Sequence, residues 1–589
     1  VGLDDFVINA NKDSIDADFN FQFLIDAFAS EEPDTTSTSN LVVQIHDIAL
    51  KNGRIRYDIL SEPEAEPGVF DFNHIALSDV NADVDLSSID IDKLDVRLDQ
   101  FSLKEKSGLY LSNAEVKIGS KNQRIELENF LLNLPNSQLS IPLAWLDYSG
   151  GTLGEAMEKG SYSLELKESH ISPEDVKMFF PPLGKLKDKL VFDGDISGTL
   201  PEINVGALTA SYGKEIRLNL QALLKDYTNW KRSAFSLNLK EFAVTSAGMK
   251  EALNLVSEGE PIELPVNTGD IRLTGKLSGS LPEMMLNLDA TTDRGALRLD
   301  GMGGYVFDTG AAKFNAELAM SDFDIETLLQ DTLFGQSSLL LTAQGSISSS
   351  NYVDVKADLN IDRFDYNAYT YNNIQASGSM TGDSVSLNIN SQDSNVPIEA
   401  KARANLGKRS QFAAFLIEMN SVYIDTLNFM PGFKDVHLSS VIKGRVEGFD
   451  LERMKVDFGI DSLLLTSDKG SYSEPHLRIN YLADDTHAKE LHISSRLLKG
   501  DASGAFTFTG LQEAIMEAFP VLFPDIKRNP KQKDPFPQDL KFRFDVREAN
   551  SLSEILQFGT EIPDSAIFMG QFTNKADNLE LLLSAYTQY

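Results

Sequence analysis

The chain contains no cysteine, and this absence removes several classes of protein at once. Disulfide-stapled scaffolds, thiolate zinc sites, iron–sulfur clusters and enzymes with a cysteine nucleophile are all excluded. Long apolar runs are missing as well, since no segment approaches the roughly 18–20 residues that a membrane-spanning helix needs. The sequence begins at Val1 without a visible signal peptide, so we expect it to be part of a longer protein.

Basic residues are scarce relative to acidic ones. The 589 residues include 53 Lys and Arg against 88 Asp and Glu, which gives a formal net charge of −35. A surface this acidic repels phosphate groups, which argues against nucleic-acid binding and against peripheral docking on anionic lipid. Apolar residues make up 42% of the chain, a fraction typical of folded proteins, so wholesale disorder is excluded.

Signatures of catalysis and of metal binding are also lacking. His476, His487 and His492 lie near Asp484 and Asp485 in the sequence, but their spacing matches no zinc motif. The acidic run 79–99 lacks the central glycine of a calcium loop. The glycines of 301–304 are predicted to form a hairpin turn and not a phosphate-binding loop. We therefore expect a protein that is not an enzyme, with no catalytic, cofactor-binding or metal-binding residues.

What the sequence does contain is sustained alternation of apolar and polar residues. Ile216–Leu224 and Val353–Ile361 place an apolar residue at every second position, and the same pattern covers Leu94–Leu98, Val385–Ile389, Met454–Ile460 and Leu540–Val546. This period of two predicts antiparallel strands with one apolar face and one polar face. Turns are predicted at Asn52–Gly53, Ser107–Gly108, Asp300–Gly301, Gly303–Gly304 and Thr381–Gly382.

Helical patterns are few and short. One is predicted to start after Ser172, with Pro173 at its first position. The others are predicted over Ala247–Val256, Asp324–Phe334, Leu511–Ala518 and Ser551–Phe558. With one strand and turn per roughly 14 residues, the length predicts about 40 strands. The predicted fold is all-β, an elongated and repetitive antiparallel sheet with a few short helices.

The sequence repeats itself. Leu164–Glu168 (LELKE) matches Leu237–Glu241 (LNLKE), and weaker copies begin at Leu318, Ile417 and Phe544. A second, glycine-led motif follows the first two copies: Gly194–Ile203 (GDISGTLPEI) matches Gly275–Met284 (GKLSGSLPEM). Gly345, Gly444 and Gly570 are expected to occupy the equivalent places in the later copies. Residues 151–589 are therefore predicted to be a series of units, each with a strand, a short helix and a glycine-led meander.

The apolar face of such a sheet must be covered, and the residues leave three possibilities. Two sheets could pack as a sandwich, the sheet could roll into a solenoid with a filled core, or it could curl into a trough filled by lipid acyl chains. Burial of acyl chains contributes about 0.8 kcal/mol per methylene, so lipid is an adequate filler. For a trough, the residues predicted to contact lipid are Ile216, Leu218, Leu220, Leu286, Leu288, Val353, Val355, Leu359, Leu387, Val456, Phe458, Phe542 and Phe544.

Several of these strings resemble the AsmA-like and TamB family of translocation and assembly proteins, in a form similar to that of Bacteroidetes. The segments are 42–57 (VVQIHDIALKNGRIRY), 96–118 and the two glycine-led decapeptides. The resemblance lies in the pattern of repeated strands and turns and covers nearly the whole chain. It assigns residues 1–150 to an AsmA-like β-meander. It implies a β-sheet curled into a hydrophobic groove.

The resemblance also implies a function and a location. Members of this family are periplasmic, are anchored in the inner membrane by an N-terminal segment, and engage a BamA-like outer-membrane barrel through a C-terminal region. They are linked to phospholipid transport between the two membranes and to outer-membrane protein assembly. For this chain we therefore expect phospholipid acyl chains as partners, with the anchor and the barrel-binding region outside the sequence. The alternative is a structural or adhesive β-repeat protein with a filled core and no lipid.

Overall fold

The computed structural model describes residues 1–23, 46–88, 90, 92–155, 159–256, 269–350, 352–429, 434–484, 486–513, 537–548, 565–575 and 578–588. Strand makes up 67% of the structure and helix 6%, and the described residues form 32 strands of open, curled sheet. The predicted all-β fold class is confirmed. The described residues contain fewer strands than the roughly 40 expected for the chain, and many of these strands run to ten residues or more and exceed the usual five or six.

The chain divides into two compact units, Val1–Arg294 and Gly295–Tyr589. The strands of the first unit are β1 (Gly2–Asp4), β2 (Val7–Lys12), β3 (Asp47–Ile59), β4 (His74–Ser88), β5 (Asp95–Glu105), β6 (Tyr110–Leu111), β7 (Asn113–Lys121), β8 (Arg124–Asn133), β9 (Gln138–Asp147), β10 (Ser161–Ile171), β11 (Leu190–Thr199), β12 (Glu202–Tyr212), β13 (Ile216–Lys225), β14 (Ala234–Val244), β15 (Ile271–Ser280) and β16 (Glu283–Thr292). Its helices are α1 (Pro173–Val176) and α2 (Ser246–Val256), with short 3₁₀ turns at Leu153–Glu155 and Pro181–Lys185.

The second unit is built in the same way. Its strands are β17 (Gly295–Val306), β18 (Ala311–Asp324), β19 (Phe334–Ile347), β20 (Val353–Tyr366), β21 (Tyr369–Thr381), β22 (Ser384–Gln392), β23 (Pro397–Asn405), β24 (Phe412–Tyr423), β25 (His437–Glu447), β26 (Lys455–Ser467), β27 (Gly470–Ala483), β28 (Ala488–Ser494), β29 (Leu498–Ala505), β30 (Gln538–Arg547), β31 (Ser565–Lys575) and β32 (Asn578–Gln588). Helix α3 spans Ile325–Leu329, and residues 508–513 are also helical.

Nearly all pairing is between strands that follow one another in the chain. From β7 to β16, and again from β17 to β32, each strand is the antiparallel neighbour of the next. The exceptions are near the start of the chain, where β1 and β2 both lie parallel to β3 and where β5 pairs with β7 as well as with β6. The boundary predicted near residue 150 falls between β9 and β10, which are hydrogen-bonded neighbours.

The repeated LELKE and LNLKE strings correspond to a β-bulge. In β10 the register shifts after Leu166, so that Lys167 and Glu168 stand outside the regular pairing. The same shift follows Leu239 in β14, Met320 in β18 and Met419 in β24. A bulge lets a pair of polar residues interrupt the alternation while the apolar side chains on both sides of it keep to one face.

The register corrects the expected equivalence of the repeat glycines. Gly194 and Gly275 pair with the last apolar residue before the bulge, Leu166 and Leu239. Gly444 and Gly570 instead face Phe415 and Phe542, which lie two residues before their repeat starts. In the first two repeats, the glycines that face an aromatic residue two positions before the repeat start are Gly198, opposite Tyr162, and Gly279, opposite Phe235. Gly345 faces Phe314, four residues before its repeat start.

Three predicted turns are wrong. Asn52–Gly53 lies within β3 as an irregularity with Asn52 at φ 52°, and Asp300–Gly301 and Gly303–Gly304 both lie within β17. Sequence cues for a turn and for a bulge are the same here, since both use residues that tolerate positive φ or leave space for a neighbour. The turns at Ser107–Gly108 and Thr381–Gly382 are confirmed.

The predicted helices mostly have the expected positions. Helices α1 and α2 match, although Ser172 makes no side-chain capping hydrogen bond. Helix α3 is shorter than predicted, because β19 already begins at Phe334. The predicted helix Ser551–Phe558 lies outside the described residues, as does the second half of Leu511–Ala518.

Many of the fully buried side chains lie at the end of the strands where β10, β14, β18 and β24 meet their longer connections, whereas Ala483, Lys489 and Phe506 are buried at the opposite end. In the first unit, Tyr212 and Val244 are buried at the first of these ends, and the Tyr212 hydroxyl donates to Glu251 on α2 at 2.8 Å. In the second unit two small clusters form, Val436 with Leu465 and Tyr472, and Val396 with Val422 and Leu427. These connections pack against that end of the sheet, and in the described residues the middle of strands such as β20 stays half exposed.

Candidate functional site

In the first unit, the residues predicted to contact lipid share one face. Leu218 pairs with Ala210 on one side and Phe242 on the other, and Leu220 lies between Leu208 and Leu239. Paired residues of neighbouring strands project to the same side of a sheet, so rows of apolar side chains run across β11–β16. These rows also contain Ile216, Leu286 and Leu288. We call this side of the sheet the apolar face and the other side the polar face.

In the second unit, the strand register also brings the residues predicted to contact lipid to one face of the sheet. Val353, Val355 and Leu359 pair with Ile347, Gly345 and Leu341, and Leu387 lies between Gly378 and Ala402. Val456 and Phe458 lie opposite Val446 and Gly444. Phe542 and Phe544 face Ala502 and Gly500. The structure therefore brings all eight residues of this unit to the apolar face, and their contact with lipid stays a prediction.

Exposure distinguishes this face from a packed core. None of the thirteen predicted residues is among the fully buried hydrophobic side chains, and Leu387 is 40% exposed. In β20 the burial alternates strictly, with half-buried Val353, Val355 and Leu359 between exposed polar residues. A sandwich would bury such positions against a second sheet. The face is therefore apolar and only half covered.

Aromatic rings lie over glycines on the apolar face, a feature that the sequence analysis missed. An ideal Cβ placed on Gly444 would lie 2.5 Å from Cζ of Phe415, and one on Gly500 would overlap the ring of Phe544. Phe458 flanks Gly444 on the next strand, with its ring centroid 6.4 Å from that of Phe415. Rings that lie over glycine cover backbone that the glycine leaves exposed. The available signal was an aromatic residue two positions before each of four repeat starts.

The second unit contains an apolar cavity of about 500 Å³. Its floor is the apolar face of β26–β30, and the side chains that cover it come from the segment between β29 and β30. Three predicted residues line it: Val456, Phe542 and Phe544. The other lining residues, which the sequence analysis missed, are Leu451, Tyr481, Lys489, Leu491, Ala502, Phe506, Phe508, Leu511 and Leu540.

A buried ion pair closes one side of this cavity. Lys489 is 2% exposed, and its Nζ lies 2.6 Å from Oε2 of Glu452. The ammonium also donates to the carbonyl oxygen of Phe506 and lies 4.9 Å from the centroid of that ring. Glu452 accepts a hydrogen bond from the backbone N–H of Phe508 at 2.8 Å. Burial raises the pKa of the nearby Tyr481 to about 12, and the charge of Glu452 adds to this effect.

The polar face carries the charge. Around Asp461, the basic groups of Lys443 and Arg478 lie 2.9 and 2.5 Å from the carboxylate, on the two flanking strands. Hydrogen bonds from His476, Lys443 and Arg478 hold the pKa of Asp461 well below its usual range. Arg298 pairs with Asp300, and Arg445 with Glu447, along single strands. This face is built for contact with water.

The three histidines examined for metal binding do not converge. His476 contacts Asp461 at 3.0 Å, whereas His492 contacts Asp501 at 2.6 Å. In the part of the chain that the structure describes, no group of three or more His, Asp or Glu side chains is placed to bind a metal ion. Asp485 lies outside that part.

The described residues include no helix of the length and apolarity required to cross a membrane. Comparison of the chain with protein-family models, with curated proteins and with solved structures gives no match. The similarity to the AsmA-like and TamB family is therefore still a prediction from sequence.

Proposed function

We propose that this protein is a lipid-carrying scaffold, in which phospholipid acyl chains lie along the apolar face of the curled sheet. One observation carries the proposal: rows of paired apolar side chains cross many strands and remain half exposed. Soluble proteins rarely leave contiguous apolar surface of this extent without a ligand or partner. The residues act collectively, and no catalytic step is involved.

The energetics favour acyl chains as the occupant. Apolar surface removed from water contributes about 25 cal/mol per Å², or about 0.8 kcal/mol for each methylene. A chain lying along a row such as Leu208, Leu220 and Leu239 covers apolar side chains from several strands at once. The ring-over-glycine contacts support this, because the rings of Phe415 and Phe544 add apolar surface above backbone that glycine leaves exposed.

The cellular setting is a proposal that rests on the family resemblance. From it we propose that the protein lies in the periplasm, is anchored to the inner membrane by a segment outside this sequence, and transports phospholipid toward the outer membrane. Assistance to outer-membrane protein assembly, through a BamA-like barrel, is a further expectation from the same resemblance. The acidic polar face is consistent with a protein that does not bind anionic lipid headgroups through that surface.

Site-specific photocrosslinking tests the proposal. A photoreactive amino acid at Val355 or Leu218, on the apolar face, should form adducts with phospholipid in cells. The matched positions Lys356 and Asn219, which follow directly in the sequence and lie on the polar face, should not. Equal adducts from both faces, or none from either, would contradict the proposal and favour a structural or adhesive protein.

A further inference from the structure

The cavity between β26–β30 and the segment that follows β29 differs from the rest of the apolar face. In the described residues the other predicted lipid contacts lie on a half-exposed surface, whereas Phe506, Phe508 and Leu511 partly cover this stretch. Phe506 is 6% exposed and lies between the cavity and the ion pair of Lys489. A concave, partly covered cavity can hold a ligand in one place, which an open surface does not do.

We infer that this cavity is a discrete binding site for one acyl chain of a lipid. The inference rests on the proposed function and adds a defined holding site to it. The cavity volume is about 500 Å³. If a methylene is given about the volume of a water molecule, about 30 Å³, the cavity accommodates on the order of sixteen carbons. The described walls are aliphatic and aromatic apart from the ammonium of Lys489 and the hydroxyl of Tyr481, which donates to the carbonyl oxygen of Leu451 at 2.9 Å.

The ion pair of Lys489 and Glu452 holds the residues that cover the cavity, Phe506 and Phe508, in position. Glu452 connects Lys489 on β28 to the backbone N–H of Phe508, so one carboxylate joins the floor of the cavity to the first turn of the helical residues 508–513. Among the described lining residues, the one basic side chain is Lys489, and its ammonium is paired with Glu452. The described lining therefore offers its apolar side chains to the hydrocarbon tail of a lipid.

Ala502 offers a way to fill the cavity. It lies on the floor between Leu491 and Phe542, where a larger side chain would occupy the space of the ligand. Ala357 is the matched control, because it holds the same kind of position on the uncovered apolar face of β20, between Ala343 and Gly378.

The test uses a sixteen-carbon fatty acid with a diazirine near the middle of its chain, photolysed with the purified full chain, and adducts mapped on peptides. In the unsubstituted protein, adducts should concentrate on peptides that contain Ala502 or Phe542. Ala502→Trp should lower these adducts by about tenfold or more, and Ala357→Trp should leave them unchanged. Thermal unfolding of both variants establishes that they are folded, and the adduct map of the unsubstituted protein tests the inference without them.

Adducts spread evenly along β20 and β30 would overturn the inference of a discrete site while leaving the proposed function in place. The same holds if a folded Ala502→Trp protein keeps its adducts at Phe542. Adducts absent from the apolar face of both regions would overturn the proposed function as well.

Discussion

Phe415 on β24 lies over Gly444 on β25, so close that a Cβ at Gly444 would lie 2.5 Å from the ring. The same relationship joins Phe542 to Gly570, where the corresponding distance is 2.8 Å. A glycine opposite an aromatic residue lets neighbouring backbones approach and lets the ring fill the space that a side chain would take. In these repeats, the rings of Phe415 and Phe542 therefore occupy the space on the apolar face where a side chain at Gly444 or Gly570 would lie.

The first prediction concerns the repeat glycines. At Gly345 a Cβ would lie 2.3 Å from the carbonyl oxygen of Asp354 and 2.8 Å from Cα of Val355, and backbone atoms cannot move away cheaply. We expect Gly345→Ala to lower the free energy of unfolding of the second unit by about 1–3 kcal/mol. Urea denaturation followed by circular dichroism measures this.

Gly301 is the matched control for that substitution. It also lies within a strand of the second unit, but its nearest contact to a new Cβ is 3.4 Å. Gly301→Ala should be neutral or should stabilise by about 0.4–1 kcal/mol, because alanine reduces the freedom of the unfolded chain. Equal losses in both variants would show that close strand approach is not what the repeat glycines provide.

The second prediction concerns pH. Burial lowers the pKa of His74, but hydrogen bonds to the carbonyl oxygen of Glu62 and to Asp58, with the charge of Asp71, leave it raised above 6.5. A raised folded-state pKa gives stability that is complete below pH 6.5 and is lost as the pH rises through the folded-state value. The first unit should therefore melt at a lower temperature at pH 8 than at pH 6.

His74→Gln should reduce this pH dependence, since glutamine keeps polar contacts but does not titrate. Differential scanning calorimetry of both proteins between pH 5.5 and 8.5 gives the comparison. An identical pH dependence in the variant would mean that other groups cause the loss of stability.

The third prediction concerns the pair Lys489 and Glu452. The lysine is 2% exposed and the glutamate 28%, so the two single substitutions should differ. Glu452→Gln leaves a fully buried ammonium without its partner and should cost about 3–5 kcal/mol, whereas Lys489→Met leaves a carboxylate that water reaches and should cost less. Denaturation of each protein measures the two losses.

The double variant Lys489→Met, Glu452→Gln should be more stable than Glu452→Gln alone, because no buried charge is left unpaired. Additive losses in the double variant would contradict a direct interaction between the two groups.

The fourth prediction places a charge on the apolar face. Val355→Asp should leave the melting temperature nearly unchanged, because a half-exposed position keeps the carboxylate hydrated, and should reduce bound lipid. Gln344→Asp is the control, since it lies on the neighbouring strand, on the polar face, opposite Lys356. A packed core would instead make Val355→Asp unfold the unit at a cost of several kcal/mol while Gln344→Asp stays folded.

The sequence was sufficient for the fold class, because alternation over strands such as Ile216–Leu224 and Val353–Ile361 depends only on which residues face water. The strands found there, β13 and β20, begin at the predicted residues. Turns were harder to predict: Asn52 and Gly301 lie within strands, where the local sequence is compatible with a bulge or a close approach as well as with a hairpin.

The candidate site was predictable in part. Its alternating residues, including Phe542 and Phe544, were identified because the pattern alone assigns their face. Lys489 was not, because a lysine in a strand usually lies on the solvated side, and its burial depends on Glu452, 37 positions earlier in the chain. Partners this distant, such as the aromatic residues that follow β29, become apparent only from the fold.

Native mass spectrometry of the protein purified without detergent shows whether lipid occupies the apolar face. We expect mass shifts that correspond to bound phospholipids, that disappear on extraction with organic solvent, and that are smaller for Val355→Asp than for Gln344→Asp. A folded, lipid-free protein, with melting behaviour unaffected by added phospholipid, would contradict the proposed function.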